Sequence, residues 1–294
     1  MPKFSICIPT YNRSELITKA IESVVSQTYN DFELIIIDNN SDYIHRKKLK
    51  DFLEKLDNPL IKFVQNDSNI GMFNNWNKCL SISNGEYITI LSDDDLLHVD
   101  FLKISSEVLS KVPGSCLFVR KQEFNVFSSN ELILRNLTNK NYDNDFKVYE
   151  LNKNIFSWFN ALGTPVGFVF PNEKNIKFRE TYFPSADYLF TLEVSNNKRI
   201  IYLDSCLAFV GYGDNYSMKL NVINGFKKKD LLIKNSFYKC GFFNNMFTNL
   251  QHIEYLIKFK HLKLPVLANI YSLFFRLLRK FIFKRHINEI YYSK

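Results

Sequence analysis

Residues 86–97 read EYITILSDDDLL, an apolar segment that ends abruptly in three consecutive aspartates. Aromatic and β-branched residues dominate its first half, which is typical of a buried strand. Three adjacent carboxylates repel one another, and each further ionised acid raises the free-energy cost of placing them together. Asp93, Asp94 and Asp95 therefore predict that a positive partner lies close to the end of this strand.

Strand-like and helix-like segments alternate before these aspartates. The predicted strands cover residues 3–9, 32–38, 60–65 and 86–92. The predicted helices cover residues 14–27, 45–57 and 72–83. This β-α-β-α order predicts an α/β fold with a doubly wound, parallel sheet.

Polar side chains follow each of the four predicted strands. They are Thr10, Tyr11 and Asn12, then Asp38, Asn39 and Asn40, then Asn66 and Asp67, and finally Asp93 to Asp95. The carboxyl ends of parallel strands meet at one edge of a sheet, where ligands bind. The sequence therefore predicts a single ligand site that gathers these groups.

The acids at the strand ends allow more than one interpretation. One aspartate of the triplet would suffice to cap the helix that follows, whereas three at a ligand edge suit a hard divalent cation. Asp38 either ends its strand in an Asx turn or accepts hydrogen bonds from a base or a ribose. Neither G-x-x-x-x-G-K-[ST] nor G-x-G-x-x-G follows any strand, so nothing supports ATP hydrolysis or dinucleotide redox chemistry.

Charge is distributed unevenly along the 294 residues. The net charge is +8, yet residues 219–294 contain fifteen Lys or Arg and three Asp or Glu, which leaves −4 for residues 1–218. The five cysteines are scattered without a C-x-x-C pair, so we expect neither a zinc site nor a disulfide framework. No secretory signal pattern and no uncharged run of about 20 apolar residues is present, so a cytoplasmic location is expected.

Three segments agree in order and spacing with one known family: IPTYNR at 8–13, IIIDNNSD at 35–42, and NIGMFNNWNKCLSISNGEYITILSDDD at 69–95. Together they resemble the family 2 glycosyltransferases of GT-A fold. The resemblance is strongest over residues 3–111 and continues weakly to ADYLFTLEV at 186–194, about two thirds of the chain. It implies a Rossmann-like, mostly parallel GT-A domain over residues 1–218, with a basic helical extension over 219–294.

The resemblance also implies a reaction. An inverting glycosyltransferase would move a hexosyl or N-acetylhexosaminyl group from a nucleotide-sugar, usually a UDP-sugar, to a glycan or lipid-linked acceptor during surface polysaccharide or lipooligosaccharide synthesis, such as O-antigen or capsule. Two alternatives remain open. A sugar nucleotidylyltransferase uses a similar sheet, although its Gly-rich loop ending in Arg-Lys is absent here, and a non-catalytic scaffold would bind nucleotide-sugar without turnover.

Site residues carry over from the family by position. Asp93 and Asp95 would hold Mn²⁺ or Mg²⁺, and Asp187 would be the general base. The residues implied in nucleotide-sugar binding are Pro9, Thr10, Tyr11, Asp38, Asn69, Gly71, Asp93 and Asp94.

Two positions depart from the family pattern. Ala186 stands before Asp187, where relatives commonly have an acid, so Asp187 could instead be an ordinary helix-start aspartate. Gly211 and Gly213 stand where relatives often have an Arg and a His, and a cation from the Lys-rich stretch at 227–229 is one candidate substitute.

The basic tail predicts an amphipathic helix from Val266 to Ile282. Its apolar face would contain Val266, Leu267, Ile270, Leu273, Phe274, Leu277, Leu278 and Phe281. Its polar face would contain Asn269, Ser272, Arg276, Arg279 and Lys280. Such a helix suits the cytoplasmic surface of the inner membrane, contacted through residues 262–285, or else packs on the body with a solvated basic side. No nucleic-acid partner is expected, because no binding-motif spacing is present.

Overall fold

The computed structural model describes residues 1–127, 137, 146–158, 164–213, 219–238, 240–258 and 265–290. The strands in these ranges are β1 (Phe4–Thr10), β2 (Phe32–Asp38), β3 (Ile61–Gln65), β4 (Tyr87–Ile90), β5 (Leu96–Leu97), β6 (Cys116–Asn125), β7 (Val148–Leu151), β8 (Phe168–Pro171), β9 (Ile200–Tyr212) and β10 (Ile287–Ile290). The helices are α1 (Ser14–Val25), α2 (Tyr43–Leu56), α3 (Met72–Ile82), α4 (Phe101–Lys111), α5 (Ile155–Trp158), α6 (Ala186–Ser195), α7 (Leu220–Phe237), α8 (Phe242–Lys258) and α9 (Pro265–Arg285). A 3₁₀ turn covers Glu180–Tyr182.

One sheet collects the described strands in the order β10-β7-β9-β6-β8-β4-β1-β2-β3, and β5 pairs with β9. The block β4-β1-β2-β3 is entirely parallel, which confirms the predicted α/β class and its doubly wound N-terminal half. Beyond β4 the sheet is mixed, because β8 runs antiparallel to both of its neighbours while β6 and β9 pair in parallel. Helical crossovers connect the parallel strands, as that geometry requires.

The central strands are buried on both faces, which explains their unbroken apolar composition. All seven residues of β1 are buried. Ile6 and Ile8 belong to one large core cluster and Cys7 to a second, because successive side chains point to opposite faces of the sheet. Helix α1 covers the first cluster with a stripe of buried residues at helical spacing, Ile17, Ala20, Ile21 and Val24.

The C-terminal helices share a core with the sheet. Ile233 of α7, Phe247 of α8 and Phe275 of α9 all belong to the second cluster. After α9, strand β10 pairs antiparallel with β7. The predicted boundary at residue 218 therefore separates two parts of the sequence that pack together, and the division into a GT-A domain and a basic helical extension stays a prediction.

Helix α9 confirms the predicted tail helix, and Leu273, Phe274, Leu277 and Phe281 of its predicted apolar face are exposed. Its side chains before Leu273 and that of Arg276 lie outside the described part of the structure, and so do residues 262–264. Arg279, expected on the solvated basic face, pairs with Glu254 of α8 at 2.6 Å. Within the described ranges, every helix is too short or too polar to cross a bilayer.

Candidate active site

A cavity of about 440 Å³ opens at the carboxyl edge of the parallel strands. The residues singled out from the sequence that line it are Pro9, Thr10, Tyr11, Asn69, Asp93, Asp94, Asp95 and Asp187. The structure thus brings the end of β1, the aspartate turn after β4 and the start of α6 around one space. The predicted convergence thus holds for the ends of β1 and β4 and, through Asn39, for the end of β2, whereas Asn66 and Asp67 after β3 do not line the cavity.

The three aspartates lie in the turn between β4 and β5. Helix α4 begins only at Phe101, so none of them caps it. The capping interpretation is therefore wrong for this triplet, and the carboxylates face the cavity instead. Asp93 and Asp95 are almost fully buried.

Arg13 is the positive partner that these acids require. Its guanidinium donates hydrogen bonds to Asp93 Oδ1 at 3.1 Å and to Asp94 Oδ2 at 2.9 Å, while Thr10 Oγ1 donates to Asp93 Oδ2 at 2.8 Å. Sequence reasoning missed Arg13, although it follows β1 in the same loop as Tyr11 and Asn12. The rule that gathers strand-end residues at one edge would have found it.

The acids in this turn keep a higher affinity for protons than exposed aspartates do. Burial raises the pKa of Asp93 to about 6, Arg13 opposes that rise, and the neighbouring Asp94 adds to it. The pKa of Asp95 is raised well above its usual value by burial and by Asp94, although the Gly211 N–H donates to Asp95 Oδ1 at 2.8 Å. Additional positive charge beside these carboxylates would therefore stabilise their ionised forms.

Gly211 brings the backbone of β9 against the aspartate turn. A Cβ atom at this position would lie 2.0 Å from the carbonyl oxygen of Asp94, far inside van der Waals contact. A Cβ at Gly213 would lie 2.6 Å from the ring of Phe127. The backbone of the aspartate turn thus excludes a side chain at Gly211.

Lys121 supplies a second cation between the two groups of acids. It extends from β6 and donates a hydrogen bond through Nζ to the carbonyl oxygen of Thr164, which lines the cavity. Burial lowers the pKa of Lys121 to about 8, and the charges of Asp95 and Asp187 counteract that decrease. Sequence reasoning missed this residue, because a lysine inside a strand carries no local signal.

The Lys-rich stretch does not take the place of the missing Arg and His. Lys227, Lys228 and Lys229 do not line the cavity. Lys229 donates to the carbonyl oxygen of Thr181 at 2.6 Å and lies 5.7 Å from the ring centroid of Tyr182.

Asp187 lies in the first turn of α6 and faces the cavity. Its Oδ1 accepts a hydrogen bond from the Tyr188 N–H at 2.8 Å. Burial raises the pKa of Asp187 to about 7; Asp230 of α7 adds to that rise, and the Tyr188 N–H and Lys121 oppose it. Burial also raises the pKa of Asp230 to about 6, against the effects of Ser185 and Lys234. A carboxylate with a pKa near 7 has the proton affinity that suits a general base.

Asp38 and Gly71 do not line the cavity. Asp38 is fully buried, and both its oxygens accept from the Ser41 N–H at 3.2 Å, which is the local turn that sequence analysis held as the alternative. Gly71 has a φ of 84° and donates to Asn69 Oδ1 at 2.9 Å, so it shapes the entry to α3. Asn39, the neighbour of Asp38, lines the cavity and donates to Asn69 Oδ1 at 2.8 Å. A direct contact of Asp38 with a nucleotide base stays a prediction.

The oxygen donors here fit a hard divalent cation only in part. Within the described ranges, no group of three or more His, Cys, Asp or Glu side chains is arranged to hold a metal ion. Asp93 and Asp95 nevertheless offer two buried carboxylates, the ligand type that Mn²⁺ and Mg²⁺ prefer, beside a third acid that repels both. A cation at this turn would need further ligands from a bound molecule.

Residues 5–162, more than half of the chain, match the family model described as Glycosyl transferase family 2. The chain belongs to glycosyltransferase family 2. This assignment confirms the resemblance drawn from the three sequence segments, and it favours a glycosyltransferase over a nucleotidylyltransferase.

Curated relatives match part of this family 2 chain. The GalNAc(5)-diNAcBac-PP-undecaprenol beta-1,3-glucosyltransferase of Campylobacter jejuni is 34% identical over 125 residues, 41% of this chain and 40% of the relative. The amylovoran biosynthesis glycosyltransferase AmsB of Erwinia amylovora is 27% identical over 113 residues, 38% of this chain and 37% of the relative. The chain thus spans about two fifths or less of the length of these relatives.

Solved structures confirm the GT-A fold over most of the chain. TarS 1–349 of S. aureus in complex with UDP-GlcNAc superposes with a TM-score of 0.60 at 17% identity, covering 87% of this chain and 73% of that one. The mannosyltransferase PcManGT from Pyrobaculum calidifontis, in complex with GDP-Man and Mn²⁺, gives a TM-score of 0.58 at 15% identity, covering 96% and 85%.

Proposed function

We propose that this family 2 member is an inverting, metal-dependent glycosyltransferase that uses a nucleotide-sugar, with a UDP-sugar as the first candidate. The observation that carries the proposal is one cavity lined both by the Asp93–Asp95 turn and by Asp187. A sugar transfer requires that a diphosphate be accommodated and that a proton be accepted. The aspartate turn would serve the first requirement and Asp187 the second.

The donor would lie along the carboxyl edge of the sheet. Tyr11 is 44% exposed and offers an aromatic face to a base, beside the polar groups of Thr10 and Asn69. Arg13 holds Asp93 and Asp94 in place by bonding both. Asp93 and Asp95 would hold Mn²⁺ or Mg²⁺ together with the donor diphosphate. Such a cation would stabilise the negative charge that develops on the departing nucleoside diphosphate.

Asp187 would perform the proton transfer. An acceptor hydroxyl oxygen attacks the anomeric carbon as Asp187 takes its proton. The bond from that carbon to the diphosphate oxygen breaks, and its electron pair leaves with the nucleoside diphosphate. Attack from the face opposite the leaving group inverts the anomeric configuration. Lys121, held near both Asp95 and Asp187, would limit the electrostatic repulsion between the two acidic groups.

The acceptor and its location are also part of the proposal. A lipid-linked saccharide as acceptor is supported by the name of the Campylobacter relative, which includes PP-undecaprenol. The proposed location is the cytoplasmic face of the inner membrane. A role in surface polysaccharide synthesis is supported by that relative and by the amylovoran enzyme. The sugar transferred would be a hexose or an N-acetylhexosamine.

Thermal unfolding with UDP, GDP, CDP or dTDP, each in Mn²⁺ and in EDTA, tests donor binding. A ligand that binds the folded state raises the midpoint temperature of unfolding. At a ligand concentration of one hundred times Kd, the added stability is about 2.7 kcal/mol. We expect a metal-dependent rise with one nucleotide. A folded protein that none of the four stabilises would contradict the proposal.

Release of UDP from UDP-glucose and UDP-N-acetylglucosamine, with an undecaprenyl diphosphate-linked saccharide as acceptor, tests catalysis. Asp187→Asn should abolish turnover and keep the nucleotide-induced stabilisation, whereas Asp51→Asn, on the exposed surface of α2, should change neither. Full turnover by Asp187→Asn would exclude this base. Nucleotide binding without turnover by the wild type would favour the scaffold alternative.

A further inference from the structure

Helix α9 has two apolar sides, and among the described residues only one of them packs on the rest of the protein. Phe275 and Ile282 are buried. The ring of Phe275 lies 4.9 Å from that of Phe247 on α8, and the ring of Phe283 meets Tyr202 of β9 edge-on at 5.2 Å. These contacts fix which side of the helix faces the core.

The other side exposes large apolar side chains. Leu273, Phe274, Leu277 and Phe281 are 56%, 54%, 58% and 54% exposed. Positions 273, 277 and 281 are four residues apart and Phe274 adjoins them, so the four form one stripe along the helix. We call it the outer face of α9.

Cations lie within and beside this outer face. Lys280 and Lys284 are exposed and follow Leu277 and Phe281 by three residues, which places them on the same side. The Arg285 guanidinium lies 4.6 Å from the ring centroid of Phe281. The sequence of α9 contains no Asp or Glu. The outer face is therefore apolar, and its charged residues are all cations.

Exposed aromatic side chains also begin the neighbouring helix. Phe242 and Phe243 of α8 are exposed, and one turn later Phe247 packs on Phe275 of α9. Helices α8 and α9 therefore pack against each other, and each of them exposes apolar side chains.

We propose that the outer face of α9 docks in the plane of an anionic lipid surface. Leucine and phenylalanine side chains would enter the boundary between headgroups and acyl chains, as they do in interfacial amphipathic helices. Lys280 and Lys284 would extend their ammonium groups to lipid phosphates while their methylene stems stay in the apolar layer. A protein partner fits this face less well, because lysine is depleted at the centre of protein interfaces.

This inference is independent of the proposed reaction, because no residue of the outer face lines the catalytic cavity. Failure of the docking proposal would leave donor binding and the catalytic groups of the cavity unchanged. Failure of the proposed reaction would leave lipid binding unchanged.

Flotation of the full chain with vesicles tests the proposal. We expect binding to vesicles of phosphatidylcholine with phosphatidylglycerol, and much weaker binding to phosphatidylcholine alone. Leu273→Gln with Leu277→Gln should abolish flotation, whereas Leu220→Gln with Leu232→Gln, two similarly exposed leucines of α7, should not. Lys280→Gln with Lys284→Gln should weaken binding roughly fivefold for each lysine removed, whereas Lys47→Gln with Lys50→Gln on α2 should leave it unchanged.

Three outcomes would overturn the proposal. The first is wild-type protein that stays unbound at both lipid compositions. The second is flotation that the α9 and α7 leucine variants reduce equally. The third is a concentration-dependent dimer, seen by analytical ultracentrifugation, that the α9 leucine variant dissociates. Unchanged thermal unfolding of each variant serves as the folding control.

Discussion

Asp187 is placed between charges of opposite sign that act on its proton affinity in opposite directions. Burial is the main reason that its pKa rises to about 7. The charge of Asp230 adds to the increase, and the charge of Lys121 reduces it. A general base works in its deprotonated form, so we expect kcat/KM to decrease as the pH falls below about 7.

Substitution of the two neighbours should move this acidic limb in opposite directions. Asp230→Asn removes a negative charge, so the pKa of Asp187 falls and the limb moves to lower pH. Lys121→Met removes a positive charge, so the limb moves to higher pH. Steady-state kcat/KM from pH 5 to pH 9 measures both. A limb that stays in place in both variants would assign it to another group.

Gly211 permits a backbone approach that no other residue would allow. In Gly211→Ala the new Cβ would meet the Asp94 carbonyl at 2.0 Å, so β9 or the aspartate turn must shift. We expect a loss of about 1–3 kcal/mol in the free energy of unfolding, as for other overpacked sites, together with weaker nucleotide binding. Urea denaturation measures the first and thermal shift with nucleotide the second.

Gly241→Ala is the matched control, because a Cβ there meets nothing within 4 Å. Its effect should stay within about 0.5 kcal/mol. Equal destabilisation by the two substitutions would indicate that the general cost of replacing glycine, and not the contact with Asp94, is responsible.

Part of the site follows from strand order, and part depends on contacts distant in sequence. Strand ends alone place Thr10, Tyr11 and Asp93–Asp95 together, because a parallel sheet aligns them. The neighbouring sequence does not predict where a side chain at a strand end points. Asp38 pairs with Thr10 in register, yet its carboxylate accepts a hydrogen bond from the Ser41 N–H and does not line the cavity. Lys121 reaches Thr164 across 43 residues, and no short pattern predicts such a contact.

At the scale of elements, α9 shows why an apolar pattern identifies a helix but not its orientation. Apolar residues occur almost all around it, so the sequence cannot tell which side packs on the body. Contacts with Phe247 and Tyr202 decide this, and both partners belong to other elements. By contrast, β1 and β2 were predicted closely, because strands buried on both faces have few alternatives.

Two truncations in α9 should therefore differ in cost. Phe275→Ala removes a fully buried ring and should lower the free energy of unfolding by about 3–5 kcal/mol. Leu277→Ala, two residues later on the outer face, should cost no more than about 0.5 kcal/mol. Chemical denaturation of both variants measures the difference. Similar costs would mean that Leu277 is covered in solution.

At the scale of the whole molecule, several buried carboxyls bind protons more tightly in the folded state. Burial is the main cause of pKa values of about 6 for Asp93, about 7 for Asp187 and about 6 for Asp230, against 3.8 ordinarily. Protonation therefore favours the folded state, and stability decreases as the pH rises through these values.

In EDTA and without nucleotide, the free energy of unfolding should thus decrease from about pH 4 to about pH 7 and then level off. Urea denaturation at a series of pH values measures this dependence. Asp230→Asn should make it shallower, because one of the contributing groups is lost. An increase in stability over this interval would contradict the assigned pKa shifts.

The sequence predicts the parallel half of the sheet but not its mixed half. Alternating strands and helices up to Ile90 predict a parallel block with helical crossovers. The order β4-β1-β2-β3 within that block comes from the structure. The mixed half depends on pairings between distant segments, such as β6 with β9 and β7 with β10. Those strands are short or interrupted, so their own sequences leave their partners undetermined.

The pairing of β10 with β7 has a geometric consequence for work at a lipid surface. Because α9 packs on β9 through Phe283 and leads directly into a strand of the main sheet, it cannot tilt away from the body like a flexible tether. A bilayer that bound the outer face of α9 would consequently set both the height and the tilt of the cavity above the headgroups. The distance from the lipid surface to the cavity would then be set by the fold.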